Sequence, residues 1–191
     1  MKYPIKVFNF IKEYKNEVVT IKDFIIGKRI TLLVGKNGSG KSTILRAIAG
    51  FIKYEGIVEV SGKVSYMSEL PYFPNDLTMD EFISSLNSIS KIKNKESNIK
   101  ELLKLFKIEG KRKQLLSSLS KGMKAKVNLI QCLMEEADIY LLDEPISGLD
   151  KDGVNYLIKY IENSEKIFII STHLVSDFKD VSNEVINLWL A

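Results

Sequence analysis

Cysteine, histidine and tryptophan each occur once in this chain, and proline only four times. Cys132, standing alone, can form no internal disulfide, which excludes a disulfide-stapled scaffold and fits a reducing compartment. It sits in an apolar helical stretch, where a thiol serves as a small buried side chain. No apolar run approaches the roughly 18–20 residues that span a bilayer. Lys6 and Asn9 interrupt the N-terminal stretch where a secretory leader would be continuously apolar, so no targeting segment is expected. Internal repeats and low-complexity tails are also missing. What is left is an ordinary globular chain, long enough for a sizeable core and expected to be one cytoplasmic domain.

Acidic residues are scarce in one block. Between Lys91 and Lys126 there are twelve Lys or Arg against Glu96, Glu101 and Glu109, an excess of nine, while everything else sums to minus five. Such asymmetry describes either a solvated lysine-rich face or a surface that meets anionic material, such as a membrane leaflet or acidic partner loops.

Glycine is concentrated where it carries chemistry. The apolar run Leu32-Leu33-Val34 ends in Gly35-Lys36-Asn37-Gly38-Ser39-Gly40-Lys41-Ser42-Thr43, and residues 44–49 then have helical spacing. Strand, glycine-rich loop and helix in that order form the phosphate-binding pattern G-x-x-x-x-G-K-S. Glycines let successive N–H groups point into one cavity, and the helix adds the positive end of its dipole there. Lys41 is placed to reach the β- and γ-phosphates, and the Ser42 hydroxyl to ligate Mg²⁺.

In chain order, residues 5–10 and 18–21 read as strands joined by a polar hairpin connection at 12–16, and 24–26 and 29–34 as two more. A helix is expected over 41–51 and broken strand over 56–67. Pro71 and Pro74 mark a loop. From about Thr78 to Glu136 the pattern is helical, opening on the capping box Thr78-Met79-Asp80-Glu81. Ile99, Leu102, Leu103 and Phe106 recur on one helical face, and Gly110 is expected to close that helix. The apolar runs 139–142 and 167–170 read as buried parallel strands, with a helix over 152–163 between them and a last strand over 185–190. Strands alternating with helices predict an α/β fold with a mainly parallel sheet and a helical insertion.

Asp143 and Glu144 directly follow one buried strand, at the sheet edge where open α/β folds bind ligands. Beside a phosphate loop their roles separate: Asp143 can hold Mg²⁺, and Glu144 can orient and deprotonate the water that attacks the γ-phosphorus. His173 follows the other strand and should emerge at the same edge, within reach of the γ-phosphate or the catalytic carboxylate.

Leu119-Ser120-Lys121-Gly122-Met123 resembles the L-S-G-G-Q signature of ABC ATPases, about twenty residues before the Asp143-Glu144 pair as in that family. Tyr14 then resembles the aromatic that stacks on adenine, Glu69 stands where the family usually has the Q-loop glutamine, Ser147-Gly148-Leu149-Asp150 matches the D-loop, and His173 the switch histidine. The resemblance implies a P-loop NTPase core with a small antiparallel β subdomain: residues 1–70 and 137–191 as core, residues 71–136 as the helical part carrying the signature. It implies ATP and Mg²⁺ as cofactors, Glu69 near the metal, and a head-to-tail homodimer in which Ser120 and Gly122 of one copy cap the ATP of the other. It further implies a transmembrane permease partner and a peripheral place on the cytoplasmic face of the membrane. Lys121, Met123 and Glu69 depart from the usual pattern in ways similar to export-type systems for antibiotics, peptides or lipid-like compounds. No nucleic-acid partner is expected, the alternative being a soluble relative acting on ribosomes or nucleic acid. A small-molecule kinase would share the phosphate loop but leave residues 119–122, 147–150 and His173 unexplained. Trp189 is expected in core packing or, if exposed, at a contact.

Overall fold

A computed structural model describes residues 4–89 and 95–188; Trp189 and Lys91, singled out above, lie outside the described residues. Two sheets form the frame. Strand β1 (Ile5–Tyr14) pairs antiparallel with β5 (Glu55–Val60) along one edge, and with β2 (Glu17–Ile21) and β3 (Phe24–Ile26) along the other. The second sheet is wholly parallel, in the order β6-β7-β8-β4-β9. Its members are β4 (Ile30–Val34), β6 (Val64–Met67), β7 (Ile139–Asp143), β8 (Ile167–Thr172) and β9 (Glu184–Asn187). The helices are α1 (Lys41–Ile48), α2 (Met79–Ile89), α3 (Lys95–Leu105), α4 (Lys121–Leu133) and α5 (Lys151–Asn163).

Strand alternation splits the apolar side chains between two cores. Ile30, Leu32, Leu142, Phe168 and Ile170 face α2–α5, while Leu33, Leu141 and Ile169 face α1 and the antiparallel sheet. A parallel sheet must be covered on both faces, and these continuous apolar runs provide for that. The face Ile99, Leu102, Leu103 and Phe106 is buried as its spacing requires, in the same core as the parallel sheet. Among the described residues no helix is long and apolar enough to cross a membrane.

Several local expectations need correction. Residues 12–14 are strand, since Lys12 pairs with Val19 and Tyr14 with Glu17, and only Lys15 and Asn16 make the turn. Cross-strand pairing outweighs the polar composition there. Helix α1 stops at Ile48, and the chain then turns through Gly50 at φ 77°. The last strand spans Glu184–Asn187. Gly110 does not close α3. Lys107 does, at φ 55°, with the Ile108 N–H donating to the Leu103 carbonyl and the Lys107 N–H to the Lys104 carbonyl. Its ammonium lies 5.0 Å from the Tyr156 ring centroid and 3.5 Å from Asp152, contacts that help offset the left-handed backbone. The capping box forms as read: the Glu81 N–H donates to Thr78 Oγ1, and the Thr78 N–H to the Glu81 carboxylate.

Cys132 is buried on α4, its Sγ 3.3 Å from Ser65 Oγ on β6, and desolvation pushes the thiol up to about 12. The native thiol should therefore resist a disulfide reagent at pH 8 and react stoichiometrically once guanidinium unfolds the chain. Because the folded state keeps this proton above the pKa of the unfolded thiol, the contribution to stability is present below about pH 8.5 and lost as pH rises toward 12. Alkaline titration of the unfolding midpoint checks the sign.

Candidate active site

Strands β4, β7 and β8 deliver their C-terminal ends to one edge. The register sets Val34 opposite Thr172 and Asp143 opposite Ser171, so Gly35, Glu144 and His173 all leave the sheet side by side. Gly40 takes φ 88°, and a Cβ there would stand 2.7 Å from both Ile21 and Val19 side-chain carbons, so the loop seats directly on β2. The helix that follows has no acidic residue in its first turn, leaving its positive end open to an anion. Lys41 is buried; its ammonium donates to the Gly35 carbonyl at 2.9 Å and the Lys36 carbonyl at 3.4 Å, and lies 3.8 Å from Glu144 Oε1. Ser39 Oγ is, among the described residues, the one buried side-chain oxygen or nitrogen without a protein partner. A cradle with a donor left over fits phosphate oxygens.

The two carboxylates are held differently. Asp143 is 1% exposed; Ser171 Oγ donates to its Oδ1 and Tyr66 to its Oδ2. Glu144 adopts φ 47°, a conformation that costs a residue with a Cβ about 1–3 kcal/mol and gathers at functional sites. Its N–H donates to both the carbonyl and the hydroxyl of Ser171, each at 3.1 Å. Its Oε2 lies 2.9 Å from His173 Nδ1, so with Glu144 as carboxylate the imidazole carries its proton on Nδ1.

The phosphate loop, Glu144 and His173 border a cleft of about 510 Å³, whereas Asp143 is buried and does not line it. It is lined by residues 37–43 together with Tyr14, Glu17, Val19, Arg46, Glu69, Glu144, Ser147 and His173. Tyr14 leans over the start of α1, its hydroxyl 3.2 Å from Thr43 Oγ1. Gly35 and Lys36 stand behind the lining, holding Lys41 through their carbonyls. Ser120, Gly122 and Asp150 do not line the cleft. Ser120 is exposed and caps α4, accepting from the Met123 N–H. Asp150 caps α5; the Gly153 N–H and then the Lys126 ammonium hold its carboxyl below the usual range.

Residues 25–147 match the family model described as ABC transporter. The chain belongs to the ABC transporter family, as an ATP-binding domain. An uncharacterised ABC transporter ATP-binding protein of Methanocaldococcus jannaschii is 33% identical, over 98% of this chain and 75% of its own length. The bacitracin transport ATP-binding protein BcrA of Enterococcus faecalis is 27% identical over 97% of this chain and 66% of its own. A solved ATP-binding subunit of an ABC transporter superposes with a TM-score of 0.84 over 96% of this chain and 85% of the other; at 22% identity that likeness speaks to fold. The ABC domain is accordingly an ATPase of the P-loop fold that works with Mg²⁺ as part of a transporter. No cluster of three acidic, histidine or cysteine side chains among the described residues could hold a metal alone. The Ser42 hydroxyl and the Asp143 carboxylate are oxygen groups of the kind Mg²⁺ takes.

Sequence reasoning missed Ser171, Tyr66 and Arg46. Arg46 lines the cleft, and a hydrogen bond with the Tyr66 hydroxyl raises its pKa above the ordinary value; burial raises that of Tyr66 in turn. The one available signal for Ser171 was a hydroxyl ending an otherwise apolar strand. Ser171→Ala removes a donor to Asp143 and an acceptor from the Glu144 N–H. The Mg²⁺ concentration giving half-maximal ATPase is expected to rise about tenfold, with ATP affinity within about threefold, in a magnesium titration of phosphate release.

Proposed function

We propose that the chain is the motor of an ABC exporter, working as a head-to-tail homodimer against a transmembrane permease at the cytoplasmic face of the membrane. The observation that carries this reading is the position of Ser120. It caps α4 at the surface and, with Gly122, stays outside a cleft that otherwise holds the phosphate loop, both carboxylate-bearing loops and the histidine. A second copy turned end to end would bring those two residues over the phosphate loop. The likeness to a bacitracin transport protein supports export. On this reading residues 71–136 form the helical part that the permease grips with the core, made of residues 1–70 and 137–191.

On this reading each residue takes a role that the geometry supports. Lys41 exchanges backbone carbonyls for phosphate oxygens, while the loop N–H groups and Ser39 Oγ hold the remainder. Tyr14 offers a ring to the base at the end of the cleft. Ser42 and Asp143, with Glu69 from the cleft lining, would hold Mg²⁺, which would supply neutralisation of phosphate charge. Glu144 takes the proton of the attacking water, and His173 keeps that carboxylate turned toward the cleft.

Glu144→Gln removes the base and leaves binding intact, so ATP-bound chains should accumulate as dimers. Light scattering is expected to show the mass doubling when Mg-ATP is added to the variant, alongside slow phosphate release by the wild type. A monomeric variant with ATP bound would overturn the composite site.

A further inference from the structure

Helix α4 is fastened at two points, one on β6 and one on the residue just past it. Ser65 Oγ donates to the Cys132 carbonyl at 2.8 Å in the interior. One turn earlier on the helix, Asn128 Nδ2 donates to the Ser68 carbonyl at 2.7 Å. Asn128 is 4% exposed and is flanked by the buried Val127, Leu129 and Ile130. Burying an amide in such a setting costs free energy unless it is bonded, and the bond it makes is to main chain outside its own helix. An apolar side chain would fill the place without that cost, so packing alone does not account for asparagine here.

The recipient carbonyl belongs to the residue just past β6 and just before Glu69. Beyond it the chain leaves the core at once, with Leu70 84% and Tyr72 87% exposed. The Asn128 bond is thus the anchor next to Glu69, a cleft-lining acid that, like Glu17 and unlike Glu144 with its His173 and Lys41, has no orienting hydrogen bond or ion pair among the described residues.

We propose that Asn128 is a positioning residue for hydrolysis, fixing the Ser68 main chain so that the Glu69 carboxylate stands at the cation and water end of the cleft. The proposal rests on the reading of Glu69 as a group that meets Mg²⁺ or its water, and does not require the dimer. It makes α4 a single rigid link from Ser120 at its N-terminus to Glu69. Lys126, on the same helix, pairs with Asp150 at 3.0 Å and ties the link to the loop that also carries Ser147.

A double-mutant cycle on the full chain tests it. In phosphate release, Asn128→Ala is expected to lower kcat about tenfold with KM for ATP within about threefold, and to cost nothing further in a Glu69→Ala background. The thermal midpoint should fall equally in both backgrounds, which separates packing from positioning. Equal kcat losses in both backgrounds, or no loss in the wild-type background, would overturn the proposal. If turnover is too slow to follow, the same cycle is read from the Mg²⁺ concentration that half-saturates binding of a fluorescent ATP analogue, with the same two outcomes. Failure of Glu144→Gln to dimerise leaves this cycle unaffected, so the two readings fail separately.

Discussion

The buried ammonium of Lys41 and the nearly buried carboxylate of Glu144, 3.8 Å apart, set the terms for everything around them. Two charges withdrawn from water are tolerated only where each finds partners, and this pair is too long to be a full hydrogen bond. Lys41 makes up the shortfall with two loop carbonyls, Glu144 with His173. The loop must therefore curl far enough for its carbonyls to reach back to the lysine, and its left-handed turn at 40, with β2 so close, admits only glycine. A phosphate in the cleft would offer Lys41 charged acceptors in place of weaker carbonyl ones.

Glu144 is placed by backbone strain rather than by side-chain bonds alone. Its left-handed conformation is held by two acceptors on Ser171, and the same hydroxyl reaches Asp143. One serine between the two acids thus fixes the proposed cation ligand and the proposed base against each other. That division suits an enzyme in which one carboxylate stays fixed while the other moves a proton.

The phosphate loop, the two acids and the histidine were legible in the sequence because each follows an apolar run that can only be a buried strand, so position along the chain implied position at the edge. The two-sheet α/β architecture was legible for the same reason. Ser171 was not, because its importance comes from the parallel register that sets it beside Asp143, twenty-eight residues away. Asn128 escaped notice likewise: helical spacing shows that it turns inward but not that a carbonyl awaits it. At the end of α3, residue type misled, since a lysine with an aromatic ring and an acid to lean on took the left-handed place expected of a glycine. Cross-strand pairing and long-range side-chain contacts are the forces that reading by residue type leaves out.

The place of β8 between β4 and β7 has a further consequence in time. Ile30 pairs with Phe168, and both neighbours of β8 are strands made well before it. During synthesis the phosphate loop therefore exists for most of the chain's length, and the acids for the length of α5 and its flanking loops, with a gap between their strands, their edges unpaired and their apolar faces uncovered. Nothing local can close that gap, and folding must wait for one late segment to be inserted into the middle of a sheet. The nucleotide cleft and the stable fold thus arrive in a single event, so that a nascent chain holds no early, half-built ATPase.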